Sequence, residues 1–336
     1  MVRDRMNFIA PAASTTSRPD SKPITRCGES DATTHVVLIP SYNTGERLFD
    51  TVAAIRRLDR PVWVVIDGST DGTGDKLSRI AEDDSDLHVF VLPRNQGKGA
   101  AVLHAVRQAQ ARGITHVVTV DADGQHSADD IVSFITLSQA HPEAMVLGMP
   151  IFDASAPPIR VVGHRIANVW TSLVTMRAGI GSSLFGFRTY PVAPLLRAFN
   201  ETRWMRRFDF DSEAVIRLSW QGVPVVNLPT PVRYFRREDG GVSHFKYLRD
   251  NLLLGFMYAR LFAGLVPRLP TLLLRRRRMP IRREWEWPRA QPRHGEDWPH
   301  HDQQRRTKHQ SIAPSSITTA ARPDNTRAPS HVRSKR

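Results

Sequence analysis

The chain has 336 residues, with 47 Lys and Arg against 33 Asp and Glu, a net charge of +14 and a single cysteine, Cys27. One cysteine excludes an intrachain disulfide framework and a cysteine-based zinc site. The charge is uneven: Arg268 to Arg336 carries 17 Lys and Arg against 6 Asp and Glu, leaving 30 against 27 elsewhere, so the body lacks the basic footprint of a nucleic-acid binder and no specific nucleic acid is expected as a partner.

Residues 1–34 are Ser, Thr, Pro and charge without apolar periodicity, which predicts a disordered head, and no apolar run before Pro11 has the length of a secretory signal. His35 to Pro40 (HVVLIP) predicts a first strand, Ser41 to Gly45 a loop, and Glu46 to Leu58 a helix with Leu48, Val52 and Ile55 at helical spacing. Pro61 to Asp67 predicts a second strand ending in the loop Gly68 to Gly74. Leu87 to Leu92 is a third strand and Gly97 to Arg112 a long helix. Val117 to Val120 is a fourth strand, Ala128 to Ala140 a helix and Ala144 to Leu147 a fifth strand. This alternation predicts an α/β fold, a mostly parallel sheet with helices on both faces. Ligands of such sheets sit beyond the carboxyl ends of the strands, where four polar loops of this chain converge.

The fourth of those loops carries the sharpest pattern. Asp121 and Asp123 stand i, i+2 at a strand end, so both carboxylates face one way, and Gly124 permits close approach. With Gln125 they fill part of the octahedral shell of a hard divalent cation, leaving positions for water and nucleotide phosphates. The same residues also suit a plain turn. Lys98 after Gly97 places a cation near phosphates, but Leu92 and Gly99 stand where a Walker A motif needs Gly and Ser or Thr, so this is no P-loop. Phe208 to Gly222 predicts a helix whose first turn holds Asp209, Asp211 and Glu213; acidic residues there are ordinary partners of the helix dipole.

IPSYN, IDGSTDGT, RNQGKGAA and DADGQH, in this order, resemble the nucleotide-binding half of family 2 glycosyltransferases, the inverting GT-A group that includes dolichol-phosphate mannose synthases. The likeness covers His35 to Arg260. It implies a GT-A fold and metal-dependent transfer of a sugar from a nucleoside-diphosphate sugar to a lipid-like acceptor, acyl or polyprenyl phosphate. It implies donor contacts from Pro40, Tyr42, Asn43, Asp67 (on a ring N–H of the base), Asn95, Lys98 and Asp121, and Mn²⁺ or Mg²⁺ at Asp121, Asp123 and Gln125. The distances to Arg217 and Gly222 are similar to those of the family's base-bearing motif and point to Asp211 as general base, with Glu213 second. The implied organisation is one catalytic domain over 35–267, with a nucleotide-sugar half (35–150) and an acceptor half (151–267), then a basic, mostly disordered tail (268–336).

The likeness has departures. Ser182-Ser183-Leu184-Phe185 stands where the family commonly has Asp-Thr-Gln-Ser before Gly186-Phe187-Arg188, Ile66-Asp67 where it has Asp-Asp, and Gly148-Met149-Pro150 where it has Gly-Ser-Arg. With that arginine missing, Arg160 and Arg165 are the substitutes for holding an acceptor phosphate, or else a solvated helix face. Arg188 joins them as an acceptor residue, as do Ser243, His244 and Arg249, in a segment similar to that of family 2 enzymes found with aryl-polyene and acyl-lipid gene sets. The departures leave open a catalytically weak relative that binds nucleotide-sugar. A nucleotidyltransferase is a third reading, opposed by Ser41-Tyr42-Asn43 where a Gly-rich basic loop is usual.

No uninterrupted apolar run has the length of a membrane span; Leu252 to Leu274 is broken by Arg260 and Arg268. Leu252, Leu253, Phe256, Met257, Leu261 and Leu265 instead predict an interfacial helix, with Arg249 and Arg260 on its opposite face. Arg275 to Arg278 with Arg282 and Arg283 add a polybasic cluster. The expected placement is cytoplasmic and peripheral, on the anionic inner face of the cell membrane.

Overall fold

The computed structural model of the chain describes residues 34–152, 156–232 and 247–278. Seven strands, β1 (His35–Ser41), β2 (Val62–Asp67), β3 (Leu87–Leu92), β4 (His116–Thr119), β5 (Met145–Phe152), β6 (Arg188–Pro191) and β7 (Val225–Val232), form one sheet in the order β3-β2-β1-β4-β6-β5-β7. β1 pairs in parallel with β2 and β4, β2 with β3, and β5 with β7, while β6 runs antiparallel between β4 and β5. The central strands are apolar on both faces because both are covered. Along β1 the side chains alternate: Val36 and Leu38 enter one core, Val37 and Ile39 the other.

The helices are α1 (Arg47–Arg56), α2 (Thr73–Glu82), α3 (Lys98–Ala111), α4 (Asp130–Ala140), α5 (Pro158–Val174), α6 (Val192–Asn200), α7 (Asp209–Gln221), α8 (Tyr247–Leu265) and α9 (Leu269–Arg278). Residues of α3, α6, α7 and α8 build the first core, and residues of α1 and α4 the second. The expected α/β class, with a mostly parallel sheet covered on both faces, is the class observed.

Six elements had no counterpart in the sequence reading: α2, α5, β6, α6, β7 and α9. α2 buries only Thr73, Gly74 and Leu77, too thin a stripe for periodicity to register, and β6 is four residues, Arg-Thr-Tyr-Pro. Two boundaries also move. Helix continues to Arg278, past the tail boundary expected at 267, because Arg268 lies over the Trp220 ring at 4.9 Å and Arg275 Nη1 donates to the Trp220 carbonyl at 2.7 Å. Residue 150 falls inside β5, which is separated from β4 by β6, so the two halves share one sheet. By length and composition Asn251–Arg275 is apolar enough to cross a membrane, whereas the sequence reading had discounted it for its arginines; in this structure its Met257, Tyr258, Leu261 and Leu265 pack into the first core.

At the amino end of the sheet, His35 and His116 stack with ring centroids 4.6 Å apart. Burial, then the neighbouring His116 and Arg60, lowers His35 to a pKa of about 4, and burial lowers His116 as well. Folded-state values below the unfolded one mean that the unfolded chain takes up protons first as pH falls. Stability from this pair is therefore fully present above about pH 6.5 and is lost towards about pH 4. Urea midpoints taken at about pH 7 and about pH 5 are expected to differ, and His35→Gln is expected to narrow the difference. An unchanged difference in that variant would assign the pH dependence to other groups.

Candidate active site

The parallel strands β3, β2, β1 and β4 are neighbours, so the loops leaving their carboxyl ends share one rim. The first two loops are latched together. Asn43, with φ of 47°, accepts at Oδ1 from the Thr70 N–H (2.8 Å), its own N–H donates to Ser69 Oγ (3.0 Å), and Asp71 accepts from Gly45 N–H (3.0 Å). The third loop is held by Asp67, which is 2% exposed and accepts from the Gln96 N–H (2.9 Å) and the Gly97 N–H (2.7 Å). This differs from the expected contact to a nucleotide base: both carboxylate oxygens hold backbone, and Asp67 positions Lys98 instead. Pro40 lies within β1, and Tyr42 and Asn95 lie on the same rim.

Lys98, at the start of α3, reaches the centre. Its Nζ donates to Asp121 Oδ1 at 2.7 Å and to Asp211 Oδ2 at 2.8 Å, with the Lys98 and Asp211 side chains only 13% and 10% exposed. Burial pulls the lysine down, but the charges of Asp121 and Asp211 outweigh it and raise the ammonium well above its ordinary range. Burial likewise works to raise Asp121, yet Lys98 and His126 hold it well below the usual carboxylate range. Asp123 is pushed the other way, by burial and then by the charge of Asp121. Asp121, Asp123 and Lys98 thus come together as expected, and Asp211 joins them from α7. Gln125 is on the same turn, its N–H donating to Asp123 Oδ1 at 3.1 Å.

The segment before β6 closes the site from the other side. A Cβ on Gly186 would stand 2.6 Å from both Lys98 Nζ and Asp121 Oδ2, so any larger residue there would have to displace the Lys98–Asp121 pair. Phe185 and Phe187 pack against the ring of His126, whose Nε2 is 3.5 Å from Asp121 Oδ2. His126 was not singled out from the sequence; its place in the DADGQH run was the available signal. Also unanticipated is the loop at 201–208: a Cβ on Gly97 would meet the Arg206 carbonyl at 2.5 Å, so this loop packs directly on the Lys98 turn.

Two expected roles fail on burial. Glu213 is 0% exposed and accepts from Arg217 Nε (2.7 Å), Arg260 Nη1 (2.8 Å) and Arg260 Nη2 (2.6 Å). With both oxygens held by guanidinium groups, Glu213 joins α7 to α8 and is no candidate base. The same pair turns Arg260 inward, against its expected place on the outer polar face of the helix. Arg188 is 0% exposed, donating to the Tyr190 hydroxyl (2.8 Å), the Asp211 carbonyl and the Ser182 carbonyl (3.3 Å). It supports the start of α7 and is not an acceptor residue. Arg160 opens α5, and Arg165 is exposed on it. Between them His164 is lowered to a pKa of about 4 by burial, then by the charges of Arg160 and Arg188. Ser243 and His244 lie outside the described residues, and Arg249 sits in the first turn of α8.

Residues 36–192 match the model of glycosyl transferase family 2. An undecaprenyl-phosphate mannosyltransferase of Micrococcus luteus is 27% identical, over 61% of this chain and 85% of its own length. A polyprenol monophosphomannose synthase of Mycolicibacterium smegmatis is 26% identical, over 63% and 83%. A crystal structure of glucosyl-3-phosphoglycerate synthase from Mycobacterium tuberculosis, with Mn²⁺ and UDP, matches at a TM-score of 0.48 and 17% identity, over 70% of this chain and 80% of that one. The four loops and the carboxylate pair at the end of β4 all lie inside residues 36–192, the segment that matches glycosyl transferase family 2.

Proposed function

We propose that the chain transfers a sugar from a nucleoside diphosphate donor to a lipid-borne phosphate at a membrane surface. The observation that carries this reading is the single cation Lys98 between Asp121 on the donor rim and Asp211 on α7. Asp211 Oδ1 is buried without a hydrogen-bond partner in this structure, a free acceptor atom facing the same centre. Relatives named for undecaprenyl-phosphate and polyprenol monophosphomannose chemistry support the acceptor class and favour mannose as the sugar.

The residues fit a divalent cation of the Mn²⁺ or Mg²⁺ kind. Asp121 and Asp123 are hard oxygen donors on one turn, and the rise in Asp123 caused in part by Asp121 is a repulsion that a cation relieves. Among the described residues no three His, Cys, Asp or Glu groups make a metal site alone. Asp121 and Asp123, with Gln125, would hold the ion together with donor phosphate oxygens. Bound there, the ion supplies Lewis-acid neutralisation of the leaving diphosphate. Lys98 adds a fixed positive charge to the same group, and Asp211 faces the acceptor. A lipid-borne acceptor favours peripheral attachment through α8, α9 and the basic residues that follow.

Asp123→Ala tests the metal half. Thermal melts with a panel of nucleoside diphosphate sugars, each with and without Mn²⁺, are expected to show metal-dependent stabilisation in the parent chain and none in the variant, because ligand stabilisation follows concentration over dissociation constant. Equal Mn²⁺-dependent stabilisation of both would remove Asp123 from the metal site.

A further inference from the structure

α5 has two apolar sides. Ala167, Thr171 and Val174 are buried, while Ile159, Val162, Ile166, Val169, Trp170 and Leu173 are 44% to 62% exposed. At helical periodicity those six fall on one arc of about 100°. Among the described residues, every large exposed apolar side chain except Ile80, Val91 and Val132 comes from α5, from the run of α8 to α9, or from the loop bearing Trp204 and Phe208. Exposed apolar side chains scattered singly are ordinary, but a concentration of this kind marks an interaction surface.

These pieces are joined. Trp170 meets Phe262 of α8 edge-on at 5.7 Å, and the Tyr258 hydroxyl donates to the Ala167 carbonyl at 3.0 Å. On α8 the sides are sorted: Met257, Leu261 and Leu265 are buried, while Leu252 and Phe256 stay exposed. Phe256 meets Trp204 at 5.6 Å, in the loop that packs on the Lys98 turn. The apolar surface therefore reaches the edge of the catalytic cluster.

Charge identifies the occupant. Residues 158–177 hold Arg160, Arg165 and Arg177 and no acidic residue, and residues 251–275 hold Arg268 and Arg275, besides the Arg260 already paired with Glu213, and again no acidic residue. Two copies of so one-sided a surface would repel each other. An apolar stripe bordered only by cations complements an anionic bilayer interface. We propose that α5, with the outer side of α8, seats the chain in the headgroup region of such a bilayer, Trp170 lying at the boundary. This deepens the lipid-acceptor reading; vesicle binding is measured without donor or acceptor, so failure of the surface and failure of the transfer chemistry are read separately.

The test is co-sedimentation of the full-length chain with vesicles of equal parts phosphatidylcholine and phosphatidylglycerol. The parent is expected to bind them better than pure phosphatidylcholine vesicles. The double variant Ile166→Asp, Val169→Asp, with its basic tail intact, is expected to lose about tenfold or more in affinity. Val162→Trp, which adds apolar area on the same arc, is expected to bind more tightly, read against vesicle-free tubes in which parent and variant both stay in the supernatant. Parent-like binding by the double variant overturns the proposal. So does a parent chain that ignores vesicles and instead forms a dimer that the double variant breaks in sedimentation velocity.

Discussion

Asp211→Asn is expected to leave donor affinity within about twofold and to slow transfer by about 10²- to 10⁴-fold, the usual contribution of a general base. Asparagine keeps the shape of the side chain and an oxygen for Lys98, so the cluster stays assembled while the ability to accept a proton disappears. The size of the loss should depend on pH in a way that reports the acceptor. A phosphate monoester loses its second proton near about pH 6; above that its oxygen is already an anion and needs little help from a base. With a lipid-borne phosphate the deficit is therefore largest below about pH 6 and narrows above it. With a hydroxyl acceptor it stays large throughout. Unchanged turnover below pH 6, or donor affinity lost together with turnover, would sink the assignment of Asp211.

Glu213→Ala is expected to cost about 3–5 kcal/mol of stability, read as a lower urea midpoint with an unchanged slope. The carboxylate is fully buried between Arg217 and Arg260, and its removal strands the Arg260 guanidinium while leaving Arg217 only the more distant Glu201 at 3.7 Å. That is a large part of the roughly 5–15 kcal/mol by which domains are stable. Arg260→Met is expected to cost less, because Glu213 keeps Arg217. A Glu213→Gln protein of parental stability but without activity would return this residue to the catalytic list and displace Asp211.

The contrast between Asp211 and Glu213 marks how far the sequence could be read. The strands β1 to β5 and the helices α1, α3 and α4 announce themselves through apolar, β-branched runs and helical spacing, and the loops after β1 to β4 carry their residues in recognisable order. Asp121, Asp123 and Lys98 were legible because one short loop or one helix start delivers each of them. Glu213 and Arg188 were not, since their roles are decided by partners far along the chain: Arg260 is 47 residues from Glu213, and the Asp211 carbonyl 23 residues from Arg188. Periodicity says that a residue is on a helix; it does not say which cation meets it there. Asp67 failed for the same reason, its carboxylate held by backbone 29 and 30 residues away. α5 escaped because its outward apolar arc obscures the inward stripe by which a covered helix is recognised.

The place of β6 has a consequence for how the chain comes off the ribosome. β5 joins the sheet only through β6, made more than 30 residues later, and β7, later still. β1 to β4 can pair as they emerge, but the edge of β4 then waits unpaired, and β5 has no seat, until Pro191 and Val232 have been made. An open apolar edge held through that interval is a site for mispairing with a neighbouring nascent chain. A chain stopped at residue 150, a natural place to cut if the nucleotide half were an independent unit, would retain that edge permanently. Such a fragment is expected to aggregate during synthesis, and chaperone demand should fall sharply once the β7 strand clears the exit tunnel.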